Sequence, residues 1–152
     1  MILRRARRED VPSVVDLLRD DELGSGRESP AGEPLPDSYF AAFEAIDRDP
    51  SHELIVGELD GRVVATLQLM FLTHLGSRGG TVAQIESVHV HSSRRGRGLG
   101  GELMRWAISR AKEKGCRRVQ LTSKKIRKDA HRFYERLGFR ATHEGMKLSL
   151  ET

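Results

Sequence analysis

Apolar positions recur with two different periods along this chain, and the change of period orders it. Ile2 and Leu3 read as a short first strand. Asp10 is placed to cap a helix, with Pro12 in its first turn, where a missing N–H costs little. Val11, Val14, Val15, Leu17 and Leu18 then follow helical spacing. Residues 19–36 are rich in Gly, Pro, Ser and acids and read as a loop, long enough to suggest a functional or mobile segment. Residues 37–48 return to a helical pattern, with Asp37 or Ser38 as cap and Phe40, Phe43 and Ile46 on one side. Strand-like runs follow. The apolar stretches on either side of Asp60-Gly61 predict a hairpin, and residues 76–80 a turn into a third strand over 81–91. These three strands are expected to form an antiparallel meander.

The helical period then resumes. Leu99, Leu103, Ala107 and Ala111 repeat every four residues, with Met104 and Ile108 on the same face. A helix over about 98–114, stopped by Gly115, is predicted. Arg117–Thr122 reads as a strand, so the helix is a crossover between parallel strands. Ala130, Phe133, Tyr134 and Leu137 mark a last helix ended by Gly138, and His143–Leu150 a final strand. The expected fold class is a mixed α/β (α+β) sheet, in one domain spanning residues 1–152.

Composition narrows the function classes. With 38% apolar and 32% charged residues, the chain is polar but not in the disordered range. No apolar run approaches a membrane span, and the first ten residues lack the apolar core of a secretory signal, so a cytoplasmic location without membrane partners is expected. The single cysteine, Cys116, cannot form an intramolecular disulfide and reads as a small buried hydrophobe. Net charge is +4, which favours anionic partners. Basic residues gather at 94–97, 117–118 and 124–132, whereas Asp20, Asp21, Glu22, Glu28 and Glu33 make an acidic stretch.

The most informative stretch is residues 94–101, RRGRGLGG, at the strand-to-helix turn of the crossover. Glycines permit positive φ and close approach of backbone to ligand. The first N–H groups of a helix lack internal partners and face the ligand with the positive end of the helix dipole. That combination makes a phosphate site. A Walker A loop is excluded, since no Gly-Lys-Ser/Thr triplet exists. Gly96, Gly98 and Gly101 match the dinucleotide fingerprint G-x-G-x-x-G, but the context disagrees. The next strand ends Thr122-Ser123-Lys124 without an acid, and the preceding strand contains Gln84, Glu86, His89 and His91 where a doubly buried strand would be apolar.

Val88-x-Val90, then Arg95, Gly98 and Gly100 before an amphipathic helix, resembles the acetyl-CoA motif of the GCN5-related N-acetyltransferases. Phe133-Tyr134-Glu135-Arg136-Leu137-Gly138-Phe139, with Ala130 before it, is similar to the same family's C-terminal segment. The resemblance implies acetyl-CoA as co-substrate, with its pyrophosphate on the amides of Gly96, Arg97, Gly98, Leu99, Gly100 and Gly101 beside Arg95. It implies that the pantetheine arm pairs with Val88, His89 and Val90, on a strand splayed from its neighbour. Ile85 and Val88 have opposite parity, the slip a β-bulge produces. It implies Glu86 as general base, Tyr134 as general acid to the leaving thiolate, and an amide near Val88 as oxyanion donor. Arg127 stands where many relatives have Asn, so a cofactor contact by Arg127 or Lys128 replaces the family's expected one.

Each residue also has a plainer reading. Glu86 could be a solvated strand residue and Tyr134 a core tyrosine. His89 and His91, spaced i, i+2 without a third ligand, are poor metal ligands, and no metal is expected. Trp106 reads as packing, and Lys124, Lys125, Arg127 and Lys128 as a solvated turn. The expected function is acetyl transfer to the primary amine of a small molecule, with the acids of the 19–36 loop suiting a cationic acceptor. The alternatives are acetylation of a protein N-terminus or lysine, and a non-catalytic acyl-CoA-binding module. Nucleic acid is not an expected partner, since aromatics are only 5% and do not interleave with the basic clusters. Dimers among relatives leave a homodimer open.

Overall fold

In the computed structural model, which describes residues 1–21 and 25–151, Asp60 and Gly61 adopt φ of 53° and 75°. Two successive positive φ values give the hairpin turn whose twist matches the flanking strands. The turn joins β2 (His52–Leu59) to β3 (Arg62–Thr73), closing on the pair Leu59–Arg62. β1 (Ile2–Arg5) pairs antiparallel with β2, and β4 (Thr81–Val90) antiparallel with β3. Between β3 and β4 the chain reverses through α3 (Gly76–Gly79), a left-handed turn in which Ser77 and Arg78 have φ of 54° and 60°. β5 (Arg118–Gln120) adds in parallel to β4. The sheet order is β1-β2-β3-β4-β5. The expected meander and parallel crossover are both present.

Helices cover both faces. α1 (Val11–Arg19) and α2 (Asp37–Arg48) pack Val11, Val14, Val15 and Phe43 against Ala6 and Val56. On the other face α4 (Leu99–Glu113) buries Leu103, Met104, Ala107 and Ala111 against Ile55, Leu67, Leu69, Ala83 and Ile85. This is the four-residue stripe seen in the sequence. Trp106, Cys116 and α5 (Lys128–Arg136) pack at the margin of that cluster. Burial pushes the Cys116 thiol up, which disfavours its thiolate.

Several sequence expectations are corrected. Asp10 precedes α1 but does not cap it. Its carboxylate instead accepts from both Arg4 guanidinium nitrogens, at 2.7 and 3.0 Å, and from the Arg7 amide. α2 begins at Asp37 itself, with Pro36 at the cap position, so neither Asp37 nor Ser38 serves as cap. β5 is three residues long rather than six. The expected final strand over His143–Leu150 is not formed. A strand needs a hydrogen-bonded neighbour, and these residues are exposed throughout and pair with no edge of their own sheet.

A buried ion pair ties the two layers together. Glu53 of β2 is 2% exposed and accepts from Arg110 Nε and Nη2 of α4, at 2.6–3.0 Å. Burial alone would raise its carboxyl, but the Arg110 hydrogen bonds and charge outweigh that and hold it below the usual range.

Candidate functional site

β4 and β5 pair over Val82–Gln84 and Arg118–Gln120, and the Arg117 amide donates to the Thr81 carbonyl at 2.9 Å just before them. Beyond Gln84, β4 runs on to Val90 paired with β3 alone. The two strands therefore splay, and the β4 backbone from Ile85 onward borders an open gap. The parity slip also has its cause here. Ser87 has a φ of 54°, and the β3–β4 register shifts between Thr66 and Gln68, so Ser87 and Val88 together oppose Leu67. That is a β-bulge. Because of it Ile85, Val88 and Val90 all join the α4-side cluster, while Gln84, Glu86 and His89 alternate onto the face covered by α1 and α2.

The turn into α4 lies at the end of this gap. Gly96 and Gly98 have φ of 76° and 78°, conformations that side chains disfavour, and both are exposed. Helical bonding starts with the Glu102 amide on the Gly98 carbonyl, so the amides of Leu99, Gly100 and Gly101 have no helical partners. Gly100 packs beside Phe133; a Cβ there would stand 3.4 Å from the ring, an ordinary contact. Arg97 is exposed. Arg95 turns back onto the protein: its Nε donates to the Val90 carbonyl at 3.1 Å and its Nη2 to the Asp20 carbonyl at 3.1 Å. The gap and turn together suit a long ligand with an anionic end, its phosphates on backbone amides and its arm laid as an extra strand on β4.

Two of the acids after α1, Asp20 and Asp21, are engaged within the fold. Asp20 accepts from the Ser92 amide at 2.6 Å and the Ser92 hydroxyl at 2.9 Å. Burial opposes its ionisation, yet these bonds hold its carboxyl below the usual range. Asp21 accepts from Arg127, at 2.5 Å. Glu22 lies outside the described residues. Arg127 occupies the position just before α5, so its ion pair joins the end of α1 to the start of the helix that carries Tyr134.

The candidate chemical groups stand on opposite sides of β4: Tyr134 packs at the margin of the α4-side cluster, Glu86 and His89 on the other face. Tyr134 stacks at a tilt on Phe133, 5.2 Å between ring centres, and edge-on to Phe139 at 5.9 Å. Burial pushes its phenol above its ordinary range, against the pull of Arg127, so it is protonated at neutral pH. Glu86 accepts from Gln84 Nε2 at 3.1 Å, and Gln84 Oε1 in turn accepts from Gln120 Nε2 of β5 at 2.8 Å. His89 lies within electrostatic reach of Asp21 and Arg127; burial, only partly offset by Asp21, lowers its pKa and keeps the ring neutral. His91 Nδ1 accepts from the Ser93 amide at 3.2 Å and helps shape the turn. Sequence reasoning missed Gln84, Gln120 and the Asp21–Arg127 pair. The alternation of polar residues on β4 was the available signal for Gln84; nothing local signalled a pair separated by 106 positions.

The model of the acetyltransferase (GNAT) family matches residues 12–139. The chain is 30% identical over 149 residues to an aminoalkylphosphonate N-acetyltransferase of Salmonella typhimurium, covering 94% of this chain and 96% of that protein. It is 39% identical over 90 residues to glucosamine 6-phosphate N-acetyltransferase of Trypanosoma brucei brucei, 59% of each chain. Among solved structures, a transcriptional regulator from Bacillus halodurans C-125 superposes with a TM-score of 0.93 at 46% identity, covering 98% of this chain and 99% of that one.

Proposed function

The chain belongs to the GNAT family of acetyltransferases and is an acetyl-CoA-dependent N-acetyltransferase; from that premise we propose how its residues divide the work and what its acceptor is. The amides of Gly96 to Gly101, with Arg97 beside them, hold the CoA pyrophosphate. The free edge of β4 at Val88, His89 and Val90 takes the pantetheine arm, and the amide of Val88 polarises the thioester carbonyl. Arg95 and Arg127 serve by position: Arg95 braces the turn against β4 and the end of α1, and Arg127 sets the start of α5. The observation that carries this reading is the β4 edge left open past Gln84, ending at the exposed glycine turn.

The transfer forms a C–N bond and breaks a C–S bond. An alkylammonium, with pKa of about 10, must first lose a proton. Glu86, on the face opposite α4 and steadied by Gln84, accepts it directly or through a water. Tyr134 reaches the gap from the other side and gives its proton to the departing thiolate. A thiol of about 8.5 against a phenol of about 10 makes that step uphill, and burial of Tyr134 makes it more so, while the Arg127 charge acts the other way. His89 is the second candidate for proton acceptor, favoured by its neutral ring on the Glu86 side of β4.

The acceptor is the primary amine of a small molecule. Both named relatives act on such amines, and in each the acceptor also carries a phosphorus oxyanion. The test is a panel of amines with acetyl-CoA, read by release of free thiol. It contains an aminoalkylphosphonate, glucosamine 6-phosphate, their counterparts lacking phosphorus, and peptides with a free N-terminus or lysine. Turnover with the small amines supports the proposal; turnover confined to peptides overturns it. Saturating acetyl-CoA should also raise the melting temperature, since a ligand selective for the folded state stabilises it. Absence of a shift would sink the assigned cofactor site.

A further inference from the structure

A cavity of about 490 Å³ lies where α1, β1, the β2–β3 hairpin and the turn after β4 meet. That volume falls in the range of small-molecule sites. The cavity shares no residue with the glycine turn, with the Val88–Val90 edge, or with Glu86, His89 and Tyr134. Leu17, Val63 and Val64 form its apolar part, and most of the remaining lining is charged or carries a hydroxyl.

The charges in this lining are unevenly satisfied. Arg4 is shared between Asp10, at 2.7 and 3.0 Å, and Glu58, at 3.2 Å. Asp16 is taken by Arg19, which lies outside the lining. The acids facing the cavity are therefore all paired. Its other arginines are not. The Arg7 guanidinium acts on Asp10 through its charge alone. Arg62 and Arg94 have no hydrogen-bond or ion-pair partner among the described residues. Arg94 is half-buried, where a guanidinium without a counter-charge is costly. Ser13 and Ser93 add hydroxyls, that of Ser93 standing 2.8 Å from His91 Nδ1.

We propose that this cavity is a second anion site, which takes a small phosphorylated molecule while the acetyl-CoA edge is also occupied. Its guanidinium groups come from separate walls: Arg7 from the turn before α1, Arg62 from the start of β3, and Arg94 from the turn after β4. Donors brought from several directions match the oxygens of a tetrahedral phosphoryl group, whereas a planar carboxylate is served by one fork. Leu17, Val63 and Val64 receive the carbon skeleton that carries the phosphate. The inference uses the acetyl-transfer reading only in taking acetyl-CoA to fill the other anion site.

The test is calorimetric titration of the full chain with inorganic pyrophosphate and, separately, with citrate, each with and without saturating acetyl-CoA. One pyrophosphate per chain should bind with acetyl-CoA present. Arg7→Ala and Arg62→Ala, both at exposed positions, should each weaken that binding at least about tenfold, the scale of a lost charged hydrogen bond. Arg48→Ala, which removes an exposed arginine of α2 outside the cavity, should leave it unchanged. Arg62→Lys keeps the charge without the fork; it should bind less tightly than wild type, and it stands in if an alanine variant does not fold. Absence of pyrophosphate binding overturns the proposal, as does its loss on adding acetyl-CoA, which would put the probe on the glycine turn. An equal loss in Arg48→Ala would reduce the effect to diffuse charge, and citrate binding as tightly would remove the phosphate assignment. If acetyl-CoA itself does not bind, the cofactor reading fails, while Arg7→Ala and Arg62→Ala still decide this one.

Discussion

Gly100 separates ligand approach from fold better than any other residue here. Gly96 and Gly98 are held at positive φ, so a side chain at either strains the turn itself. Gly100 is helical, and an alanine Cβ would make ordinary contact with Phe133. Gly100→Ala should therefore leave the unliganded melting temperature nearly unchanged, yet weaken acetyl-CoA binding about tenfold or more, a loss of about 1.4 kcal/mol. Calorimetric titration checks this, and unchanged affinity would place the pyrophosphate elsewhere. Tyr134→Phe should slow turnover about a hundredfold while acetyl-CoA still binds, the usual scale for a lost proton donor. Equal turnover would leave Tyr134 as a packing residue between Phe133 and Phe139. Glu86→Gln should depress the rate most at low pH, where the acceptor is protonated. If that profile is unchanged and His89→Gln alters it instead, His89 is the acceptor of the proton.

At the scale of elements, the contact most exposed to test is the one between β2 and α4. Arg110→Ala would leave Glu53 nearly buried without its hydrogen-bond partner, with only the more distant charges of Arg5 and Lys114, a change that costs about 3 kcal/mol at neutral pH. For a chain of this size that lowers the melting temperature by about 8 °C. The pH dependence has a definite sign. Glu53 is held below its unfolded range, so its contribution is present above that range and is lost as pH falls through the folded value. The gap between wild type and Arg110→Ala should thus narrow below about pH 4. Thermal melts over a pH series measure it, and a constant gap would mean the pair adds little. The elements themselves were largely legible. α4 reads as a stripe because it buries one face, whereas β2 and β3 read as near-continuous apolar runs because both of their faces are buried. Asp10, by contrast, has the right residue type for a cap, but Arg4 arrives from β1 and takes its carboxylate.

Across the whole molecule, the end of α1 organises the site. Asp20 holds Ser92 and the Arg95 guanidinium, and Asp21 holds Arg127, so the glycine turn and α5 are both referred to one helix end. Asp20→Ala should raise KM for acetyl-CoA several-fold with little change in kcat, because the turn loosens while the proton-transfer groups stay in place. Steady-state kinetics decide it, and an unchanged KM would make the Asp20 bonds incidental.

Local periodicity and backbone preference are properties of short segments, and the sequence by itself determined what depends on them. It specified the hairpin at Asp60-Gly61, the α4 stripe, the glycine turn and the bulge near Ser87, where the parity slip is visible without any coordinates. Tertiary structure alone decided what depends on distant segments meeting. It set how far β5 follows β4, and so where the gap opens. It brought Asp21 to Arg127 and Arg110 to Glu53. It also left Met146, Leu148 and Leu150 without a neighbour, although their alternation is as regular as that of any strand in the sheet. A strand pattern states only which side is apolar; the edge that receives it is a fact of the assembled fold.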